Sequence, residues 1–302
     1  MGWSGSLSAN SAVGSAITYT PDTTTSHGYT VGTFTAPKKG VYRFILKGSG
    51  GTYNGYYSDG SSSNGGEGGY TVGYLLLEAG QTVYVGAGGT CSAAFVSGAT
   101  GSALKDIAQS SLYFVAGAGG SGGARWGEPY NMKSGPGGAG GGTSGTAGSG
   151  GQAGGTQSSG YAYGVGGIGG YGNDGASYHR GDGGDGLYGG YAGAFSSGMA
   201  HGGGGGSGYL HTGSVKIGSK TYTNTTQQGG GAGSNSTGSV VVEYYARAEL
   251  PVNLDGTTLE RIIFNGVEVE SLIVDGVKMY FRRMIERLFR RRWNGDEQLH
   301  FA

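Results

Sequence analysis

Gly238-Ser239-Val240-Val241-Val242-Glu243-Tyr244-Tyr245 decides the fold, because this strand lies beyond the longest glycine tract in the chain. Its β-branched and aromatic residues mark it as a strand. Before it, residues 117–233 are dominated by Gly-Gly-X and Gly-X-Gly runs, such as Gly135-Pro136-Gly137-Gly138-Ala139-Gly140-Gly141-Gly142, Val165-Gly166-Gly167-Ile168-Gly169-Gly170 and His201-Gly202-Gly203-Gly204-Gly205-Gly206. Such composition ordinarily means a flexible linker or a disordered tract. A linker needs no such length, however, and if Val240–Tyr245 pairs with strands before Gly117, both ends of the tract are pinned to one sheet. Glycine has no side chain to bury and loses the most backbone entropy on folding, so order must come from the backbone itself. Polyglycine can form a left-handed helix of three residues per turn, related to polyproline II, that has no internal hydrogen bonds. Packed side by side, such helices can bond laterally, because no Cβ obstructs the approach. The tract is therefore expected to be a bundle of polyglycine II helices, with Tyr161, Tyr163, Ile168, Tyr171, Tyr178, Tyr188, Tyr191 and Tyr209 interleaved.

Upstream, glycines punctuate strands. Residues 34–46 read as strand, turn, strand; 70–77 is a second strand, followed by the turn Glu78-Ala79-Gly80 and the strand 81–85; 112–116 is another. These supply enough Val, Leu, Ile, Tyr and Phe for a modest β-sandwich core.

Composition narrows the class. Of 302 residues, 73 are Gly, roughly a quarter against about 7% in average usage, and only 5 are Pro, which with the broken period excludes collagen. No run of 18 apolar residues exists for a spanning helix. Zero formal net charge argues against general nucleic-acid binding. The single Cys91 excludes an intrachain disulfide framework. The start, Met1-Gly2-Trp3-Ser4-Gly5-Ser6, shows no positive n-region or apolar h-region, so no export signal is expected, and its match to the myristoylation pattern is a short one in low-complexity sequence.

From Leu250 the chemistry changes. Asp255-Gly256, Asn265-Gly266 and Asp275-Gly276 fall ten residues apart, each at the apex of an expected two-residue hairpin in a small β-meander. Arg282, Arg283, Arg287, Arg290, Arg291 and Arg292 against Glu286, with Met284, Ile285, Leu288 and Phe289 at helical spacing, predict a short basic amphipathic helix. The expected divisions are an N-terminal segment 1–18, a glycine-rich domain 19–249 and an attachment module 250–302.

Residues 19–245 resemble the glycine-rich domain family of anaplastic lymphoma kinase-type receptor ectodomains, which also occurs in bacterial and phage proteins. The resemblance is carried by Phe34-x-x-Pro37-x-x-Gly40-Val41-Tyr42 leading to Gly48-Ser49-Gly50-Gly51, by Gly65-Gly66-Glu67-Gly68-Gly69-Tyr70, by Leu77-Glu78-Ala79-Gly80-Gln81-Thr82-Val83-Tyr84-Val85-Gly86-Ala87-Gly88-Gly89, by Val115-Ala116-Gly117-Ala118-Gly119-Gly120 and by Gly202–Gly206. It implies a mainly β protein: a jelly-roll-like β-sandwich with an inserted bundle of polyglycine helices, acting in protein or surface recognition. The C-terminal hairpins look like modules that end phage-tail proteins, and the glycine-rich part looks like phage tail-fibre tip adhesins.

Catalytic chemistry finds little support. His27, His179, His201, His211 and His300 lack metal-ligand spacing, so no metal or cofactor is expected. No nucleophile elbow, nucleotide fingerprint or catalytic carboxylate pair stands out, and the chain is read as a non-enzyme. Arg180-Gly181-Asp182 is taken as a chance tripeptide, Asp174, Asp182 and Asp185 as solvated loop carboxylates, and the sequons at Asn224 and Asn235 as inert.

Tyrosine gives rigid contact area at low entropy cost and combines with Gly, Ser and Asn in versatile binding loops. The candidate receptor-contact residues are Tyr53, Tyr56, Tyr57, Trp126, Tyr130, Tyr171, Tyr178, His179 and Arg180; the candidate docking residues are Phe264, Leu272, Val274, Tyr280, Phe281, Arg282, Arg283, Leu288 and Phe289. The expected function is that of a virion appendage, made in the host cytoplasm and released by lysis. It binds a host cell-surface protein or glycan through its loops and other virion proteins through its C-terminal module. It is expected to be a homo-oligomer in the particle, without nucleic-acid binding or membrane insertion. The alternatives are a purely structural virion decoration and a self-associating low-complexity protein.

Overall fold

The computed structural model describes residues 2–21, 29–52, 63–88, 92–96, 104–126, 134–173, 177–217, 220–230 and 237–248, and four short strands between 252 and 268. The chain divides into two compact units, Met1–Lys216 with Thr221–Ala248, and Ile217–Lys220 with Glu249–Ala302.

The first unit is mainly β. One antiparallel sheet has the order β1 (Trp3–Ser4), β2 (Ala16–Tyr19), β18 (Ser239–Arg247), β4 (Gly40–Lys47), β5 (Tyr70–Leu77) and β17 (Thr226–Gln228). A second has the order β14 (Tyr209–Leu210), β8 (Leu112–Ala116), β7 (Ser92–Val96), β6 (Thr82–Gly88) and β3 (Tyr29–Thr35). Two further strands, β15 (Ser214–Ile217) and β16 (Lys220–Thr223), fall between β14 and β17 in the chain. The strand beyond the glycine tract is central: β18 pairs with β2 on one side and β4 on the other, Val242 opposite Ile17 and Phe44. The tract therefore leaves from β8 of the second sheet and returns to β18 of the first, so its two ends are held by different sheets. Residues 1–18, expected as a separate segment, instead supply β1 and most of β2, because Ile17 is buried in the shared core and Trp3 packs against it.

Strand alternation builds that core. Tyr42, Phe44 and Leu46 of β4 and Val240, Val242 and Tyr244 of β18 point inward, meeting Phe34, Val83, Val85 and Phe114 of the second sheet. Phe34 lies edge-on to Tyr42 at 5.3 Å and to Phe44 at 6.1 Å. Gly73 is glycine because any side chain there would enter the Phe114 ring. The strand pairs 34–46 and 70–85 are not hairpins, contrary to their appearance in the sequence: β3 and β6 lie in the second sheet, β4 and β5 in the first. The two crossings brace each other, Ala36 N–H donating to Gln81 O at 2.9 Å and Gly80 N–H to Ala36 O at 2.8 Å. A second cluster, Leu104, Ile107, Leu112, Val115, Ala118 and Leu187, joins the second sheet to the glycine region.

In the second unit, β19 (Val252–Leu254) pairs with β20 (Thr257–Leu259), and β21 (Ile263–Phe264) with β22 (Val267–Glu268). Both flank the expected Asp-Gly and Asn-Gly turns. Phe264 is described in backbone only. The third turn, the basic helix and the docking candidates Leu272, Val274, Tyr280, Phe281, Arg282, Arg283, Leu288 and Phe289 lie outside the described residues.

Candidate functional site

The glycine tract is held by lateral backbone hydrogen bonds. Its centre is segment 201–208, where His201, Gly204 and Ser207 donate to Ala194, Tyr191 and Tyr188, and Gly203 and Gly206 donate to Ser121 and Ala118. Gly205 and Gly208 donate to Thr146 and Gly142, and Gly202 donates to Ser149 Oγ at 2.8 Å. The carbonyls of 201, 204 and 207 accept from 181, 184 and 187, those of 203 and 206 from 138 and 141, and that of 205 from 155. Bonds to each neighbour thus recur every third residue. The same spacing governs where side chains occur: Ala118, Ser121 and Ala124; Val165, Ile168 and Tyr171; Asp182, Asp185 and Tyr188; Tyr188, Tyr191 and Ala194. The central segment is side-chain-free from Gly202 to Gly206 because neighbours surround it.

The segments have two distinct ends. At one, 48, 69, 117 and 208 continue into β4, β5, β8 and β14. At the other lie Thr52, Ser63, Gly123, Ser134, Ser149, Gly170, Arg180 and His201, tied by bonds such as Gly122 N–H to Thr52 O and Gly123 N–H to Gly135 O. The candidate contact residues Trp126, Tyr171, Tyr178, His179 and Arg180 lie at this far end; Tyr53, Tyr56, Tyr57 and Tyr130 lie outside the described residues.

Three short strands are described there: β9 (Ala124–Trp126), β10 (Tyr171–Asn173) and β11 (Ser177–His179), ordered β10-β11-β9. Trp126 is described in backbone only, opposite Ser177. Tyr171 is 79% exposed, its ring 4.4 Å from that of His179. His179 itself is buried, and burial holds its imidazole below the ordinary value; Asp182 opposes the shift and Arg180 adds to it. Tyr178 stacks on Phe195 at 4.0 Å, joining this sheet to the hairpin of β12 (Phe195–Ser196) and β13 (Met199–Ala200). Arg180 directs Nε to Gly170 O at 3.4 Å. The structure therefore brings Tyr171, Tyr178, His179 and Arg180 together.

Sequence reading misses Phe195 and the buried His201, whose Nε2 lies 2.8 Å from Ser196 Oγ. This pair resembles a nucleophile and its base, but the tautomer argues otherwise. His201 Nδ1 is buried without a partner among the described residues. An orphaned N–H is rarer in proteins than an orphaned acceptor, so the proton is assigned to Nε2, which donates to the hydroxyl instead of activating it.

One expectation needs correction. Asp182 and Asp185 are not solvated loop carboxylates: their Oδ1 atoms accept the N–H groups of Gly169 and Gly166, tying segment 165–170 to 180–186. Within Arg180-Gly181-Asp182, Gly181 is buried and donates to His201 O at 3.0 Å. Asn224 is buried and engaged, its Oδ1 accepting from Tyr74 N–H at 2.6 Å. Among the described residues no cluster of three or more His, Cys, Asp or Glu is placed to hold a metal ion, and no helix is long and apolar enough to cross a membrane.

The chain matches no family model and no curated protein.

Proposed function

We propose that the protein is a virion-associated appendage of a tailed phage or phage-like particle that recognises the host with the far end of its glycine segments. The observation that carries this reading is that Thr52, Ser63, Trp126, Ser134 and the strands of Tyr171 and Tyr178 lie at the end remote from the two sheets, and the tyrosine-bearing stretches 53–62 and 127–133 fall between these residues in the sequence. Binding residues concentrate on loops held by a rigid scaffold, and tyrosines backed by neighbouring rings lose little entropy on contact. In this reading the two sheets form a jelly-roll-like sandwich and the glycine segments are polyglycine II helices. The three-residue repeat of lateral bonds supports that helix, whose rise of about 3.1 Å per residue would carry the contact loops roughly 20 Å from the sheets. The hydrogen-bonded tract disfavours a self-associating chain without fixed structure. The likeness to glycine-rich recognition domains agrees with a non-catalytic, cofactor-free role against a host cell-surface protein or glycan. The hairpins after Leu250 would attach the protein to other virion proteins.

The test is binding of fluorescently labelled protein to candidate host cells, in competition with particle adsorption. Saturable binding that blocks adsorption, and that is lost in Tyr171→Ala with an unchanged melting temperature, is the expected result. No binding by folded protein would overturn the receptor assignment and leave a structural decoration.

A further inference from the structure

The three-stranded sheet β10-β11-β9 has two unlike faces, because side chains alternate along each strand. On one face Tyr178 lies across Gly172, where any added side chain would enter its ring, and stacks on Phe195. That face packs on the β12–β13 hairpin. The other carries Tyr171 and Asn173 of β10 with Ser177 and His179 of β11, Tyr171 opposite His179 and Asn173 opposite Ser177. His179 is buried against the Tyr171 ring, whereas Tyr171, Asn173 and Ser177 are exposed. The register position of Trp126 in β9 is opposite Ser177.

We propose that this face binds a neutral sugar residue of a cell-surface glycan, an inference that rests on the host-recognition reading above and narrows its ligand. The Tyr171 ring has one side against His179 and is 79% exposed, so it offers a flat apolar surface at little cost in side-chain entropy. The C–H face of a pyranose ring matches that surface. Its hydroxyls both donate and accept, and so do the Asn173 amide and the Ser177 hydroxyl. These two stand directly opposite each other, with about 5 Å between Cβ atoms, and Asn173 lies about 7 Å from Tyr171 along β10. A ring stacked on Tyr171 thus turns its hydroxyl edge toward both. Charge selects the neutral class. Anionic ligands are held by Arg or Lys, yet Arg180 directs Nε to Gly170 O, and Tyr171, Asn173 and Ser177 are uncharged. A protein interface centres on buried apolar anchors with polar groups at its rim, whereas the exposed neighbours of Tyr171 on this face are an amide and a hydroxyl.

The experiment is binding of the fluorescently labelled full chain to candidate host cells left untreated, oxidised with periodate to cleave vicinal diols, or digested with a protease. Binding is expected to survive the protease and about 0.5 M salt, and to be lost on oxidation. Asn173→Ala should weaken it about fivefold, the equivalent of one hydrogen bond, and Tyr171→Ala at least about tenfold. Tyr171→Phe keeps the ring and should bind as the wild type does, as should Tyr191→Ala, an exposed tyrosine outside this sheet. Circular dichroism melts establish that each variant is folded. Binding that survives oxidation and is lost after the protease overturns the sugar assignment while leaving recognition of a host protein. Loss in salt overturns the neutral class, and binding untouched by both Asn173→Ala and Tyr171→Ala overturns the assignment to this face. If the folded chain binds no untreated cell, the host-recognition reading itself falls, and the sugar assignment with it.

Discussion

Gly204→Ala tests the glycine bundle at its centre. A methyl at this position would lie 2.6 Å from the carbonyl carbon of Ala153 and 2.8 Å from the nitrogen of Gly154. Carbon atoms rest against each other at roughly 3.5–4.0 Å, so segment 152–155 must retreat by about 1 Å. That segment is held by Gly155 N–H to Gly205 O at 2.8 Å and Tyr191 N–H to Ala153 O at 2.9 Å. A retreat of that size takes both beyond hydrogen-bonding range. The Gly155–Gly205 bond joins buried residues, and leaving its N–H and its carbonyl unpaired costs about 1–3 kcal/mol each, on the order of 2–6 kcal/mol together. The smaller entropy of the unfolded alanine chain offsets at most about 1 kcal/mol. A net loss near 3 kcal/mol corresponds to a fall in Tm of roughly 6–12 °C for a chain of this size class. Thermal and urea unfolding monitored by circular dichroism measure it. Gly213→Ala is the control: its methyl would come no nearer than 3.9 Å to any atom outside its own neighbourhood, and the change should stay within about 0.5 kcal/mol. If Gly204→Ala costs no more than that control, the segments are not packed backbone to backbone and the reasoning fails.

Three further outcomes follow from side chains. Burial raises the Tyr42 phenol to about 12, so its contribution to stability is complete below pH 10 and lost as pH rises through 12; alkaline unfolding should carry this component, on the order of 2–3 kcal/mol, and Tyr42→Phe should remove it while losing the bond to Lys38 O. Burial lowers the His179 imidazole, so the folded state favours its neutral form: its contribution is present above the unfolded value of 6.5 and lost as pH falls through the lower folded value. Melting temperature followed from pH 7.5 to 5 should fall more steeply for the wild type than for His179→Gln. Asp182→Ala removes the acceptor of Gly169 N–H and should cost about 1–3 kcal/mol in urea unfolding, with Asp182→Asn, which keeps an acceptor oxygen, costing less.

Much of the β framework is legible in the sequence because alternation is a strong signal. Tyr42, Phe44 and Leu46, and Val240, Val242 and Tyr244, declare an inward face by their spacing alone. What alternation does not encode is whether a turn returns the chain to the same sheet or carries it across. Pro37–Gly40 and Glu78–Gly80 have ordinary turn residues, yet both connect opposite sheets. Phe34 and Val83 decide this, because both complete a core with Tyr42 and Phe44 that one sheet alone could not close. The first 18 residues look patternless on their own; Ile17 and Tyr19 alternate in β2, but their meaning depends on the distant partner Val242.

The glycine tract holds more information than its composition. Several non-glycine residues fall three apart, as Ala118, Ser121 and Ala124 or Val165, Ile168 and Tyr171 do, and that repeat marks the period of the segment as alternation does for a strand. It does not say what surrounds a segment. Tyr163 and Tyr188 pack on the second core, whereas Tyr161 and Tyr191, drawn from the same runs, are exposed. The pairs Tyr178–Phe195 and Ser196–His201 arise only where separate segments end side by side. The consequence is functional. A scaffold bonded through its backbone demands glycine at contact points and little of its connecting residues, so the far-end connections can change sequence at small cost to the bundle. A surface that must follow a varying partner gains from that separation. The exposed Tyr171 and the half-buried Tyr178 lie in the short strands β10 and β11, just beyond the glycine segments.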